Sequence, residues 1–161
     1  MSDMEAAYKE YAQPVYRFLL TLSGSPEMAE ELLQETFYLA IRYIHQYQGK
    51  CSLYTWLCQI GKNAWLKELR RKKRYSDTSW DNLVLPSSDL PPEEHTILQE
   101  EYRAVRSAIQ NLEETYRDVF ILHTFGDIKL KEIAGMYGKS ESWARVTYFR
   151  AKQQIIQEVS K

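Results

Sequence analysis

Cysteine, glycine and proline are scarce in this chain: two, six and five residues out of 161. Cys51 and Cys58 stand seven residues apart with no second pair. That spacing fits no common zinc motif and gives no disulfide framework, so both read as packing residues. No apolar run approaches the roughly 20 residues of a membrane span, and no charged-then-apolar leader opens the chain. The expectation is a cytoplasmic protein with no membrane insertion of its own. Charge of one sign is also missing. The net charge is −1, from 21 Lys and Arg against 22 Asp and Glu, and by itself it names no partner. Three histidines, His45, His95 and His123, are scattered, with no nucleophile elbow, metal-ligand pair or phosphate-binding glycine loop. No catalytic residue, metal site or cofactor is expected, and an enzyme is the least favoured class.

Apolar residues make up 44% of the chain and aromatics 13%, with twelve tyrosines, which implies packed surfaces rather than disorder. The charge is uneven along the chain. Residues 1–75 hold 11 basic and 8 acidic groups, residues 76–96 none and 5, and residues 97–161 10 and 9. The middle segment also collects Ser76, Ser79, Ser87, Ser88, Pro86, Pro91 and Pro92, the composition of an exposed linker. Within it Trp80, Leu83, Val84 and Leu85 are apolar enough to dock on something, and its acids suit a mimic of nucleic acid. The expected architecture is all-α: a three-helix domain over 1–75, an acidic linker over 76–94 and a second helical domain over 95–161.

In the first domain Tyr11, Val15, Phe18, Leu19 and Leu22 trace one helical face, which Pro14 should kink or restart and Gly24 should end. Ser25 and Pro26 then read as N-cap and first residue of a second helix. Its buried face is Ala29, Leu32, Leu33, Thr36, Phe37, Ala40 and Ile44. Glu30, Glu31, Gln34, Glu35 and Tyr38 point away, either as a docking surface for a basic partner or as a solvated acidic face. The loop from His45 to Ser52 turns at Gly49 and leads into a third helix. There Leu53, Trp56, Leu57, Ile60 and Ala64 keep the spacing of one buried face, and Cys58, Trp65 and Leu69 form a second stripe. The helix ends in Lys67, Arg70, Arg71, Lys72, Lys73 and Arg74. Such a run next to Tyr47 and Tyr54 suits a polyanion with unstacked bases, or is a solvated helix end favoured by the macrodipole.

In the second domain Leu98, Tyr102, Val105, Ile109 and Leu112 mark one helix and Val119, Phe120, Leu122 and Phe125 another. Leu130, Ile133, Ala134 and Tyr137 form a short helix, Gly138 suits its left-handed end, and Ser140 caps a last helix. Helix, tight turn, helix is a DNA-binding pattern whose second member enters the major groove. A helical hairpin in a core would share the periodicity, but it would not need Arg145, Arg150 and Lys152 spaced along that helix.

Taken together, these stretches resemble an extracytoplasmic-function sigma factor of the sigma-70 family. Ala29-Glu30-Glu31-Leu32-Leu33-Gln34-Glu35-Thr36-Phe37 resembles the family's region 2.2. The resemblance implies that Glu30, Glu31, Gln34, Glu35 and Tyr38 meet the beta-prime clamp of bacterial core RNA polymerase. Thr55-Trp56-Leu57 through Ile60, Asn63 and Glu68-Leu69-Arg70-Arg71 resembles the region that recognises and opens the minus-ten element. Implied contacts there are Tyr47, Gly49, Lys50, Ser52, Lys62, Asn63, Lys67, Arg70, Arg71 and Arg74. Gly126 through Glu132-Ile133-Ala134, Gly138 and Ser140 to Arg150-Ala151-Lys152 resembles the region 4 reader of the minus-thirty-five element. Its implied contacts are Ser142, Trp143, Arg145, Thr147, Tyr148 and Arg150, with Trp56, Ile60, Ile133 and Ala134 as core. Lys67, Lys139 and Thr147 depart from the family pattern in the DNA-binding regions, and Glu113 replaces a frequent Pro in a way that bears only on a helix start. The implied partners are core polymerase, through the beta-prime clamp and the beta flap, promoter DNA and an anti-sigma factor. A two-domain helix-turn-helix regulator acting without polymerase is the alternative; it would not need the Gln34-Glu35 surface.

Overall fold

A computed structural model describes residues 3–75 and 92–161. The apolar linker residues Trp80, Leu83, Val84 and Leu85, the linker acids and the side chains of Lys73 and Arg74 lie outside the described residues. Every regular element among those described is helical: α1 (Asp3–Ser23), α2 (Pro26–Tyr43), a 3-10 turn (Ile44–Gln46), α3 (Leu53–Tyr75), α4 (Pro92–Gln110), α5 (Glu114–Thr124), α6 (Leu130–Met136) and α7 (Glu141–Val159). Helices α1, α2 and α3 pack on one another, α7 carries α4, α5 and α6, and α3 meets α5 where the two groups join.

Helix α1 runs through Pro14 without a break. Proline removes one amide donor, a loss of about 3 kcal/mol in a helix interior. Here both flanks are anchored in the same core, Met4 and Ala7 before the proline and Val15, Phe18, Leu19 and Leu22 after it. Burying a large apolar side chain is worth roughly 1.5–3 kcal/mol, so the packing outweighs the lost hydrogen bond. Gly24 stops the helix in a left-handed conformation at φ 69°. Ser25 then caps α2, its hydroxyl accepting from the Met28 amide at 3.2 Å, with Pro26 in the first turn.

Helix α3 crosses α1 and α2 closely at Gly61, where an added Cβ would lie 3.0 Å from both Leu19 Cδ2 and Thr36 Oγ1. A side chain there would push both of these buried neighbours aside, so glycine suits the crossing. The sequence predicts two apolar stripes on α3; the structure buries it nearly all round between Thr55 and Leu66, including Lys62. The reason is tertiary. One side of α3 completes the first bundle and another receives α5.

Candidate nucleic-acid interface

Glu30, Glu31, Gln34, Glu35 and Tyr38 are all exposed on α2 and form one uncovered face. Tyr38 is 59% exposed and its hydroxyl accepts from Arg42 Nη1 at 3.2 Å; Ile41 beside it is 60% exposed. An acidic rim around large apolar side chains is suited to a protein partner rather than to DNA.

The loop before α3 is built on Tyr47, whose hydroxyl donates to the Cys51 carbonyl and whose ring lies 5.4 Å from that of Trp56. Gly49 holds φ 72° and, with Lys50, is exposed. Asn63, Lys67, Arg70 and Arg71 are exposed along α3, with Arg71 bound to Glu68 at 2.5 Å. Lys62 requires a correction. It is 0% exposed, and its ammonium lies 2.7 Å from Asp118 Oδ1 on α5, so in this conformation it is a buried partner of the other domain and not a surface cation for phosphates. Burial pulls its ammonium below the ordinary lysine range, an effect that Asp118 only partly offsets. Ser52 is engaged too. Its amide donates to Glu132 on α6, and the Thr55 hydroxyl donates to the same carboxylate at 3.0 Å. Burial opposes ionisation of Glu132, yet these hydrogen bonds prevail and hold the carboxyl below its usual range.

Helices α6 and α7 meet through the expected tight turn: Gly138 takes φ 66°, and the Ser140 hydroxyl accepts from the Trp143 amide at 3.1 Å. Ser142, Arg145 and Arg150 are exposed on α7, and Arg145 reaches back to Glu141 at 2.5 Å. Trp143 is half-buried against Tyr137 at 5.6 Å. Tyr148 is half-buried as well, its ring stacked on Phe120 at 5.7 Å and met edge-on by His123 at 4.6 Å. Thr147 is a second correction. At 4% exposure it points into the domain core, so it cannot read a base.

The residues that share the exposed face with Ser142 and Arg145 are Val146 and Phe149, 45% and 60% exposed. Sequence reasoning passed over both because they are apolar, although Ser142, Arg145, Val146 and Phe149 keep the i, i+3, i+4, i+7 spacing of one helix face. It also missed Asp118, Glu132 and Arg106, each of which acts on a partner more than 55 positions away. The cysteines are free, and burial pushes the Cys58 thiol up to about 12. His123 Nδ1 lies 2.8 Å from the Ile128 carbonyl, a structural role. Among the described residues no helix is long and apolar enough to cross a membrane.

Comparison with known proteins gives two family matches, Sigma-70 region 2 over residues 7–75 and Sigma-70, region 4 over residues 102–155. The ECF RNA polymerase sigma factor SigM of Bacillus subtilis is 29% identical over 94% of this chain and 92% of its own length. The RNA polymerase sigma factor YlaC of the same organism is 25% identical over 99% of this chain and 93% of its own. Among solved structures, the sigma factor RpoE in complex with the anti-sigma factor NepR from Bartonella quintana shares the fold with a TM-score of 0.57 at 20% identity, covering 99% of this chain and 98% of that one. CnrH in complex with the cytosolic domain of CnrY gives the same TM-score at 15% identity, over 98% and 87%. With both family regions present in order on two helical bundles, this chain belongs to the sigma-70 family and is an alternative RNA polymerase sigma factor of the extracytoplasmic-function class.

Proposed function

We propose that this sigma factor binds core polymerase through the uncovered α2 face and directs initiation at its own promoters in the cytoplasm, with residues 1–75 opening the minus-ten element and residues 95–161 reading the minus-thirty-five element. The observation that carries the reading is the separation of two unlike surfaces. Glu30, Glu31, Gln34, Glu35 and Tyr38 present an acidic and aromatic face on one domain, while Arg145 and Arg150 stand exposed on the helix after a tight turn in the other. An operator-binding regulator has use for the second surface but not for the first.

In the minus-ten region Lys50, Lys67, Arg70 and Arg71 hold phosphates, which set affinity more than sequence. Tyr47 and Asn63 are the candidates for an unpaired base, since stacking and hydrogen bonds compensate for lost pairing. On α7 the base-reading face is Ser142, Arg145, Val146 and Phe149, with the arginine suited to guanine and the apolar pair to a thymine methyl. Trp143 and Tyr148, both half-buried, shape that face from beneath, and Arg150 is a phosphate contact. The complexes of RpoE with NepR and of CnrH with CnrY support an anti-sigma factor as a further partner of this chain.

The test is transcription in vitro with purified core polymerase and a pooled promoter library. Wild type initiates from a defined promoter set, Gln34→Ala/Glu35→Ala loses core binding, and Arg145→Ala loses upstream-element selection. Binding to duplex DNA without any binding to core would replace this reading with the operator-binding one.

A further inference from the structure

Helix α7 begins with an acid at the end that meets DNA. In a helix-turn-helix the N-terminal residues of the second helix face the base edges, and the surrounding phosphates make an uncompensated carboxylate there unfavourable. Glu141 is the first residue of α7, and its Oε2 accepts from Arg145 Nη2 at 2.5 Å. The other exposed cations of the turn and of α7, Lys139, Arg150 and Lys152, form no ion pair among the described residues. The acid therefore serves one cation, the one on the base-reading face.

The spacing fixes what the pair can do. Side chains of an α-helix lean toward its N-terminus, so the Arg145 guanidinium lies over the preceding turn, about 6 Å along the axis, where the glutamate stands. Acid before base at i, i+4 is also the orientation that pairs best. Both partners remain open, with side chains 69% and 38% exposed, so the pair stands at the surface rather than inside the fold. A guanidinium carries five N–H donors, and this contact uses Nη2, leaving others for the O6 and N7 of a guanine. Unheld on its flexible stem, it would reach phosphate as readily as base, and phosphate contacts add affinity without sequence information. A carboxylate beside it repels phosphate and holds the fork toward the helix end that enters the groove. Such a pair adds little to the stability of an exposed helix, so its consequence lies in selectivity.

We propose that Glu141 is a positioning residue that sets specificity: its carboxylate orients Arg145 for one base pair of the upstream element and keeps that arginine off the DNA backbone. This rests on the reading above, in which residues 95–161 recognise the minus-thirty-five element. Glu141 thus lowers affinity for DNA of any sequence and raises preference at one base pair. The two effects have opposite signs. A residue that only stabilises the helix start does not produce them; it changes the melting temperature and scales binding to all sequences alike.

The test uses holoenzyme reconstituted from core polymerase and the full-length chain, on a promoter library randomised in the upstream element and read by sequencing the transcripts. Wild type is compared with Glu141→Gln, which removes the charge at nearly constant shape, with Arg145→Ala and with the double variant Glu141→Gln/Arg145→Ala. Melting temperatures show that each chain is folded. Arg145→Ala lowers preference at one base pair by about 5- to 150-fold. Glu141→Gln lowers preference at the same base pair by about 5-fold or more. It also binds a mixed-sequence duplex about 2- to 5-fold more tightly, with a salt dependence steeper by up to about one phosphate contact. In the Arg145→Ala background Glu141→Gln has no further effect on base preference, because the two residues act as one unit. Unchanged base preference in Glu141→Gln, or binding of the mixed-sequence duplex that does not tighten, would overturn the proposal. So would a loss of preference that persists without Arg145, since Glu141 would then contact a base by itself. Arg145→Ala with the base preferences of wild type, or absence of promoter-specific transcription from every protein, would instead overturn the reading on which the proposal rests.

Discussion

Arg145 and Thr147 stand two residues apart on α7 and have opposite environments. Arg145 is 69% exposed in its side chain and pairs only with Glu141, one turn back, while Thr147 is 4% exposed in the core. An exposed i, i+4 pair contributes about 0.3–0.5 kcal/mol, so Arg145→Ala leaves the melting temperature nearly unchanged. If the guanidinium reads a guanine it costs roughly 1–3 kcal/mol of discrimination, which duplex competition assays measure as a loss of about 5- to 150-fold. Thr147→Val, which keeps the shape and fills the same space, leaves promoter discrimination intact; a loss of discrimination in that variant would show that Thr147 reaches DNA after all. Alternation of residue types along α7 made both positions look equivalent, because its two sides differ in surroundings more than in composition.

Helix boundaries at the element scale were legible in the sequence, since caps act locally. Ser25 and Ser140 each bond the amide three residues on, and Gly138 takes the left-handed conformation that ends α6. Losing the Ser140 cap by Ser140→Ala costs about 1 kcal/mol. Gly138→Ala meets no neighbouring atom within 4 Å, so its penalty, about 1–2 kcal/mol, is backbone strain alone. Denaturant unfolding of the two variants checks these values, and a neutral Gly138→Ala would mean that the turn relaxes elsewhere. Pro14 was legible too, but its consequence was not. The local rule predicts a break, and the core contacts on both flanks override it.

At the scale of the whole molecule the contact between the two bundles depends on pH through Glu132. Its carboxyl lies below the usual range because the Ser52 and Thr55 hydrogen bonds outweigh the opposing effect of burial, with Lys129 adding to them. A pKa lower with this contact made than in water means stabilisation that is complete above the ordinary glutamate value, about 4.3, and lost as pH falls through the lowered value. In wild type the contact between the bundles is thus unchanged from neutrality to mildly acidic pH and weakens below about pH 4. The other titratable groups within its influence, Tyr47 and Cys51, have pKa values raised from their ordinary ones and stay neutral in that range. Scattering across an acid titration reads the effect, and Glu132→Gln removes this component; identical acid profiles for the two proteins would exclude Glu132 as its source.

What the sequence by itself determined are the properties set within a few residues or by one helix face: the seven α-helices among the described residues, their caps, the acidic α2 surface, the basic end of α3 and the tight turn before α7. Periodicity, capping and charge runs act over one or two turns, so they are written where they act. What only the tertiary structure decided is the seam between the bundles. Lys62 reads as one more cation in a basic helix until α5 brings Asp118 against it, and Glu132 reads as a solvated acid until α6 sets it at the start of α3. No spacing along the chain encodes a pair 56 or 77 residues apart; the partner is fixed only when two packed bundles exclude water between them.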